Sequence, residues 1–286
     1  MSLAQAPMAA LVAQMPDADA PGRESTFTGP EPQAAEKIFA QILAGGPKNI
    51  TELIRLVRAA TDPDFEDYRA EYVLHGLVVY AGHPEREPLK RVVAEVLAAQ
   101  VGRSELSKGV RGCILRELRW IGGPGAVAAI AGQLQDEDLC PHAVSALVAI
   151  GSGAAESLRQ ALPQAKGKAR LAIIQALGVL GDAAAVDALK PAVADDNREV
   201  RIVAAWGLAH IGDAGSADLL IKAADSAEGW ERIQAVKNCL LLAENLMKAG
   251  KQSDAARIYT HLQDTRSDAS EQYVREAAAR GLAAAK

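Results

Sequence analysis

The chain has 286 residues, with 36 acidic side chains against 31 Lys and Arg and a formal net charge of −5. Affinity for phosphate backbones comes mainly from clustered Lys and Arg, so this balance argues against general nucleic-acid binding. Hydrophobic residues make up 49% but aromatics only 4%, which favours closely packed, Ala-rich helices over strands, and no long apolar run is free of charge as a membrane span requires.

Residues 1–33 are rich in Ala, Pro, Asp and Gly and read as a disordered N-terminal arm. They lack the basic start and long apolar core of a signal peptide. Met1-Ser2-Leu3 fits a native start or a scar ahead of a mature exported sequence, so the compartment stays open between cytoplasm and export. Residues 34–104 read as divergent helical hairpins. Gly45-Gly46-Pro47 marks a turn, and Tyr72 to Ala81 a first helix followed by a longer connection. The acidic run Asp62, Asp64, Glu66, Asp67 and Glu71 lacks the glycine that a calcium loop needs. It reads instead as a solvated, acid-rich helix start.

Residues 105–225 carry the clearest self-similarity. An aliphatic-Gly break recurs at Ile121-Gly122, Ile150-Gly151, Leu180-Gly181 and Ile211-Gly212, with glycines 29, 30 and 31 residues apart. That period fits two short helices and two turns. In the unit from Asp195 to Ala224, Asp195 or Asn197 is placed to cap the first helix. Val200, Ala204, Leu208 and Ile211 then recur at helical spacing. Gly212 stops that helix, Asp213 opens the second, and Leu219, Leu220 and Ala223 form its apolar face. Neither hairpin face can be buried without a stacked neighbour.

These features resemble the short HEAT-like repeats of phycobilisome lyases. The resemblance rests on the Val-Arg pairs, on the Leu four residues before each glycine, and on the Gly-Asp turn. It implies an all-α, right-handed α-α superhelix, a HEAT-like or armadillo-type solenoid of six or seven hairpins. It also implies an Asp–Arg ladder between units, because Arg111, Arg170 and Arg201 each stand 11 residues before a glycine. Cys140 takes the arginine's place in the remaining unit, so a continuous ladder is not expected. In the last stretch, 226–286, Gly250, Ala255 and Tyr259 resemble a tetratricopeptide hairpin, followed by a capping helix from Val274-Arg275.

No catalytic, cofactor or metal constellation is identified. None of His75, His83, His142, His210 and His261 is followed by Glu, so the His-Glu pairs of HEAT-repeat deoxyhypusine hydroxylases are missing. Cys140-x-His142 has no second ligand pair. Ile121-Gly-Gly-Pro-Gly-Ala126 reads as a turn rather than an anion cradle, because Pro124 removes a donor. Cys113, Cys140 and Cys239 read as reduced core residues, with a Cys113–Cys140 disulfide admitted but not required.

Counted back from each glycine, positions ten, six and two face away from the hairpin core and are usually polar in this repeat class. Here Trp120, Leu171, Val179, Ile202 and Trp206 are apolar at such positions, and His210 joins them. They form a candidate interaction surface, to be covered by the N-terminal arm, by another copy of the chain or by a different protein. Gln133, Arg159, Asp187, Lys190, Asp218 and Lys222 mark a second, mixed-charge face. The expected function is a non-catalytic scaffold that binds an unidentified protein or peptide, with homo-oligomers admitted. The alternatives are a bilin-lyase-like enzyme subunit and a nucleic-acid-binding HEAT-like protein.

Overall fold

The structure, a computed structural model, describes residues 7–15, 32–58 and 68–285. Among these it contains sixteen α-helices and no strand. The fold class is all-α and helical-repeat, as expected. The chain divides into two compact units, Met1–Ala154 and Ala155–Lys286.

The first unit contains α1 (Met8–Val12), α2 (Pro32–Ala44), α3 (Gly46–Leu56), α4 (Arg69–Ala81), α5 (Glu87–Val101), α6 (Lys108–Ile121), α7 (Val127–Ala131) and α8 (Cys140–Ile150). Alternate helices stack in two layers: α2, α4, α6 and α8 in one, and α3, α5 and α7 in the other. Residues 8–12 correct the expectation of an unstructured arm. They form α1, which packs on α3 and α4 and buries Met8, Leu11 and Val12. Apolar side chains at helical spacing give that short segment a face worth burying. The rest of the expected arm within 1–6 and 16–31 lies outside the described residues. The connection from α4 to α5 is short, because a 3₁₀ turn at Pro84–Arg86 fills it.

After α9 (Ala154–Ala161), the second unit contains α10 (Gly167–Val179), α11 (Val186–Leu189), α12 (Arg198–Ile211), α13 (Ala217–Ser226), α14 (Gly229–Lys248), α15 (Gln252–Thr265) and α16 (Gln272–Ala284). Here α10, α12, α14 and α16 stack in order. Each short second helix rests on the next first helix, α11 on α12 and α13 on α14.

The repeat register holds in detail. Leu118, Leu147, Leu177 and Leu208, each four residues before a break glycine, are all fully buried. Each such burial contributes roughly 1.5–3 kcal/mol. Gly151, Gly181 and Gly212 have φ of 70°, 63° and 77°, the left-handed region that ends a helix. Gly122 instead keeps φ at −61°, and there the glycine is needed for space. A Cβ on it would stand 2.4 Å from the Leu118 carbonyl oxygen.

Asn197 Oδ1 caps α12 by accepting from the Glu199 N–H at 2.9 Å, and Asp195 accepts from the Asn197 N–H. In α13 the fully buried residues are Ala217, Leu220 and Ala224, whereas Leu219 and Ala223 are half-buried. The 3₁₀ turn at Ala214–Ser216 shifts the inward face by about one position.

The arginine ladder is broken in the first unit and continuous in the second. Arg111 donates to the Gln133 side chain at 3.2 Å. Arg170 pairs with Asp195 at 2.7 Å, Arg201 with Glu231 at 2.7 Å and Arg232 with Glu271 at 2.8 Å. These pairs link α10, α12, α14 and the turn before α16. A second ladder joins the Gly-Asp turns to the preceding short helices, with Arg159 on Asp182 at 2.5 Å and Lys190 on Asp213 at 3.5 Å. Both of its rungs span 23 residues.

Between α14 and α15, Gly250 adopts φ 74°, and Ala255 and Tyr259 are buried. The Tyr259 ring occupies the space beside Gly281 of α16, where a Cβ would approach it to 2.4 Å. The three cysteines are free and buried. Among the described residues no helix is long and apolar enough to cross a membrane.

Candidate functional site

The outward positions of the repeat bring six singled-out residues to the surface in different degrees. The position two before the glycine is exposed in all four units, at Trp120, Ala149, Val179 and His210. Trp120 is 67% exposed and Val179 46%. Leu171, Ile202 and Trp206 are half-buried. Trp206 is partly covered because α10 and α12 cross tightly. Gly178 presents no side chain there, so the indole lies over it and stacks on His210 with ring centroids 4.9 Å apart. Ile202 is held from the other side, since Asn238 of α14 donates to its carbonyl at 3.4 Å. Asn245, two helical turns on, donates to the Ala209 carbonyl at 3.0 Å. Thus Trp206 and His210 come together in the second unit, while Trp120 belongs to a different arrangement in the first.

That arrangement is a cavity of about 370 Å³ between α4 and α6. From α4 and the Tyr68 that precedes it the cavity receives Tyr68, Glu71, Tyr72 and His75, and from α6 Arg116, Glu117 and Trp120. The spacings place each set on one face of its helix. The mouth is aromatic. Tyr68 and Tyr72 meet edge to face at 6.4 Å, and His75 meets Trp120 edge to face at 6.5 Å.

The floor is polar. Glu117 is only 6% exposed, and His75 Nδ1 donates to its carboxylate at 3.0 and 3.2 Å. Burial pushes the Glu117 carboxyl above its ordinary value, against the His75 hydrogen bond that favours the anion. Arg116 donates to Glu71 Oε1 at 2.6 Å and to Cys113 Sγ at 3.0 Å. Burial, then the Glu71 charge, pushes the Cys113 thiol up to about 12, so it is no thiolate nucleophile near neutral pH. His142 lies beside the same arginine, and burial followed by the Arg116 charge lowers its pKa. The cavity therefore offers oriented acceptors and aromatic faces, without an activated nucleophile. Among the described residues no three His, Cys, Asp or Glu side chains are grouped to hold a metal ion.

Sequence reasoning singled out Trp120 here and missed its neighbours. Tyr68, Tyr72 and His75 share one stripe of α4, but they lie 42 or more residues from their partners on α6, in the stretch where the repeat is weakest. Glu71, read as part of a solvated acidic run, is half-buried and bonded to Arg116. Asp62, Asp64, Glu66 and Asp67 lie outside the described residues. The mixed-charge face also changes meaning. Gln133 is buried on Arg111, Arg159 and Lys190 hold the turn aspartates, and Asp218 pairs with Arg257. These groups are engaged within the chain, whereas Lys222 is exposed.

A second groove of about 670 Å³ runs between α5 and the turn from Ile121 to Ala126. Its floor is Ala94, Ala98, Ala128 and Ala129, and its rim carries Glu87, Lys90, Arg91 and Glu95. The Gly-Gly-Pro-Gly segment there is a turn into a 3₁₀ helix at Pro124–Ala126.

Residues 155–240 match the family of HEAT repeats. No curated protein matches the chain. Among solved structures, the chain is similar to the complex of CpcE and CpcF of phycocyanin lyase from Nostoc sp. PCC7120. The identity is 17%, the match covers 95% of this chain and 100% of that one, and the TM-score is 0.43. Human deoxyhypusine hydroxylase in complex with glycerol is also similar, at 17% identity over 90% of this chain and 91% of that one, with a TM-score of 0.32. The matched segment spans α9 to α13, most of α14 and the first two rungs of the second unit's arginine ladder, and the chain is an all-α helical-repeat protein that carries HEAT repeats there.

Proposed function

We propose that this chain is a non-catalytic scaffold that binds another protein, with the α4–α6 face as its main contact. One observation carries the reading: Trp120 stands 67% exposed at the mouth of a cavity built from two tyrosines and an Arg–Glu pair. An exposed indole is costly to leave in water, and Trp, Tyr and Arg are the residues that dominate binding energy at protein interfaces. Leu171, Val179, Ile202, Trp206 and His210 form a second contact, in which Val179 and His210 are the accessible members.

Affinity capture from native lysate tests the reading, with wild type, Trp120→Ala and Val179→Ser run in parallel. Circular dichroism controls for folding. Trp120→Ala is expected to keep its helicity and lose the captured protein. Equal recovery by wild type and Trp120→Ala would move the contact away from α4–α6.

A further inference from the structure

The cavity between α4 and α6 places the buried Glu117 carboxylate beneath aromatic rings. A carboxylate has no proton to give, so the 3.0 Å contact between Glu117 and His75 requires Nδ1 to be the donor. Glu71 adds a second carboxylate. The one cation in the lining is Arg116, which is engaged with Glu71 and Cys113. Two carboxylates thus face one committed guanidinium, beneath the rings of Trp120, Tyr68 and Tyr72, and the Arg119 guanidinium lies 5.9 Å from the Trp120 ring centroid, at the outer edge of cation–π reach.

Three kinds of partner group can be weighed against that lining. An anion would meet two carboxylates. An apolar side chain would seal Glu117 further from water without giving it a donor, which is unfavourable for a buried charge. A guanidinium or ammonium group supplies N–H donors and a positive charge, and aromatic faces attract such cations.

We propose that this cavity binds the cationic side chain of a basic peptide segment, an Arg or Lys seated against Trp120 and donating to Glu117. The proposal rests on the scaffold reading, because it assigns the cation to a protein partner. It adds the chemistry that the partner must carry.

Isothermal titration calorimetry on the full chain tests it. The probes are short capped Gly/Ser peptides with a single central Arg, Lys, Glu or Leu. The Arg and Lys peptides are expected to bind, with the Glu and Leu peptides giving no heat. Trp120→Ala and Glu117→Gln are each expected to weaken the Arg peptide by roughly five-fold or more. Lys248→Ala, at an exposed position of α14, is expected to leave it unchanged. Trp120 is exposed, so its variant reports on binding even if Glu117→Gln disturbs the fold. The proposal is overturned if Leu or Glu peptides bind as tightly as Arg. It is equally overturned if Trp120→Ala binds the Arg peptide like wild type, or if no peptide binds. Lysate capture that still depends on Trp120, together with any of those results, would keep the scaffold reading and remove only the cationic partner.

Discussion

At the residue scale, the most exacting polar contact is Arg266. Its side chain is 2% exposed, and Nη2 donates to Asp225 Oδ1 at 2.5 Å, while Nε has no hydrogen-bond partner among the described residues. His261 Nε2 meets the same carboxylate at 3.0 Å. Burial alone would raise the Asp225 pKa, but the hydrogen bonds from His261 and Arg266 outweigh it and hold the carboxyl below its usual range. A lowered carboxylate pKa contributes stability that is present above the unfolded value and lost as pH falls through the folded one. Removing the charge near neutral pH would strand a buried guanidinium. Asp225→Asn is therefore expected to cost about 2 kcal/mol, a figure reduced from the range for fully buried pairs because Asp225 itself is 41% exposed. Thermal unfolding across the acid range measures this. The gap between variant and wild type should be full near neutrality and should close in acid.

At the scale of elements, the crossing of α10 and α12 depends on two glycines that are not equivalent. A Cβ on Gly178 would stand 2.8 Å from the Gly207 Cα and 2.9 Å from the Trp206 ring. A Cβ on Gly207 would meet only ordinary contacts, the nearest at 3.4 Å to Leu189. Gly178→Ala is expected to force the helices apart and to cost about 1–3 kcal/mol. Gly207→Ala is expected to gain up to about 1 kcal/mol from helix propensity. Opposite shifts in the urea midpoint would check both, and loss of stability in each variant would contradict the crossing. These elements also mark what the sequence made legible. The break glycines, the buried Leu four residues before them and the exposed position two before them could all be read from spacing, because each repeats locally. The ladder was half legible: Arg170 and Arg201 were visible as a series, whereas Glu231 and Glu271 lie outside the repeat signature. The α4–α6 cavity was not legible beyond Trp120. His75 and Glu117 are joined by stacking between repeats, and neither has a local signature.

At the scale of the whole molecule, repetition gives two units of different character. The second holds the HEAT-repeat segment and a continuous arginine ladder. The first holds the aromatic cavity. A helical-repeat protein gains function through side chains placed outward on a stack that is already stable, and Trp120 is the largest such group on α6. Photo-crosslinking in native lysate tests this most directly, with a benzophenone amino acid in place of Trp120 and, as a control, in place of exposed Lys248. The account predicts a discrete protein adduct from position 120, absent from position 248 and suppressed by an excess of unlabelled wild-type chain. Identical adducts from both positions, or none from position 120, would contradict it.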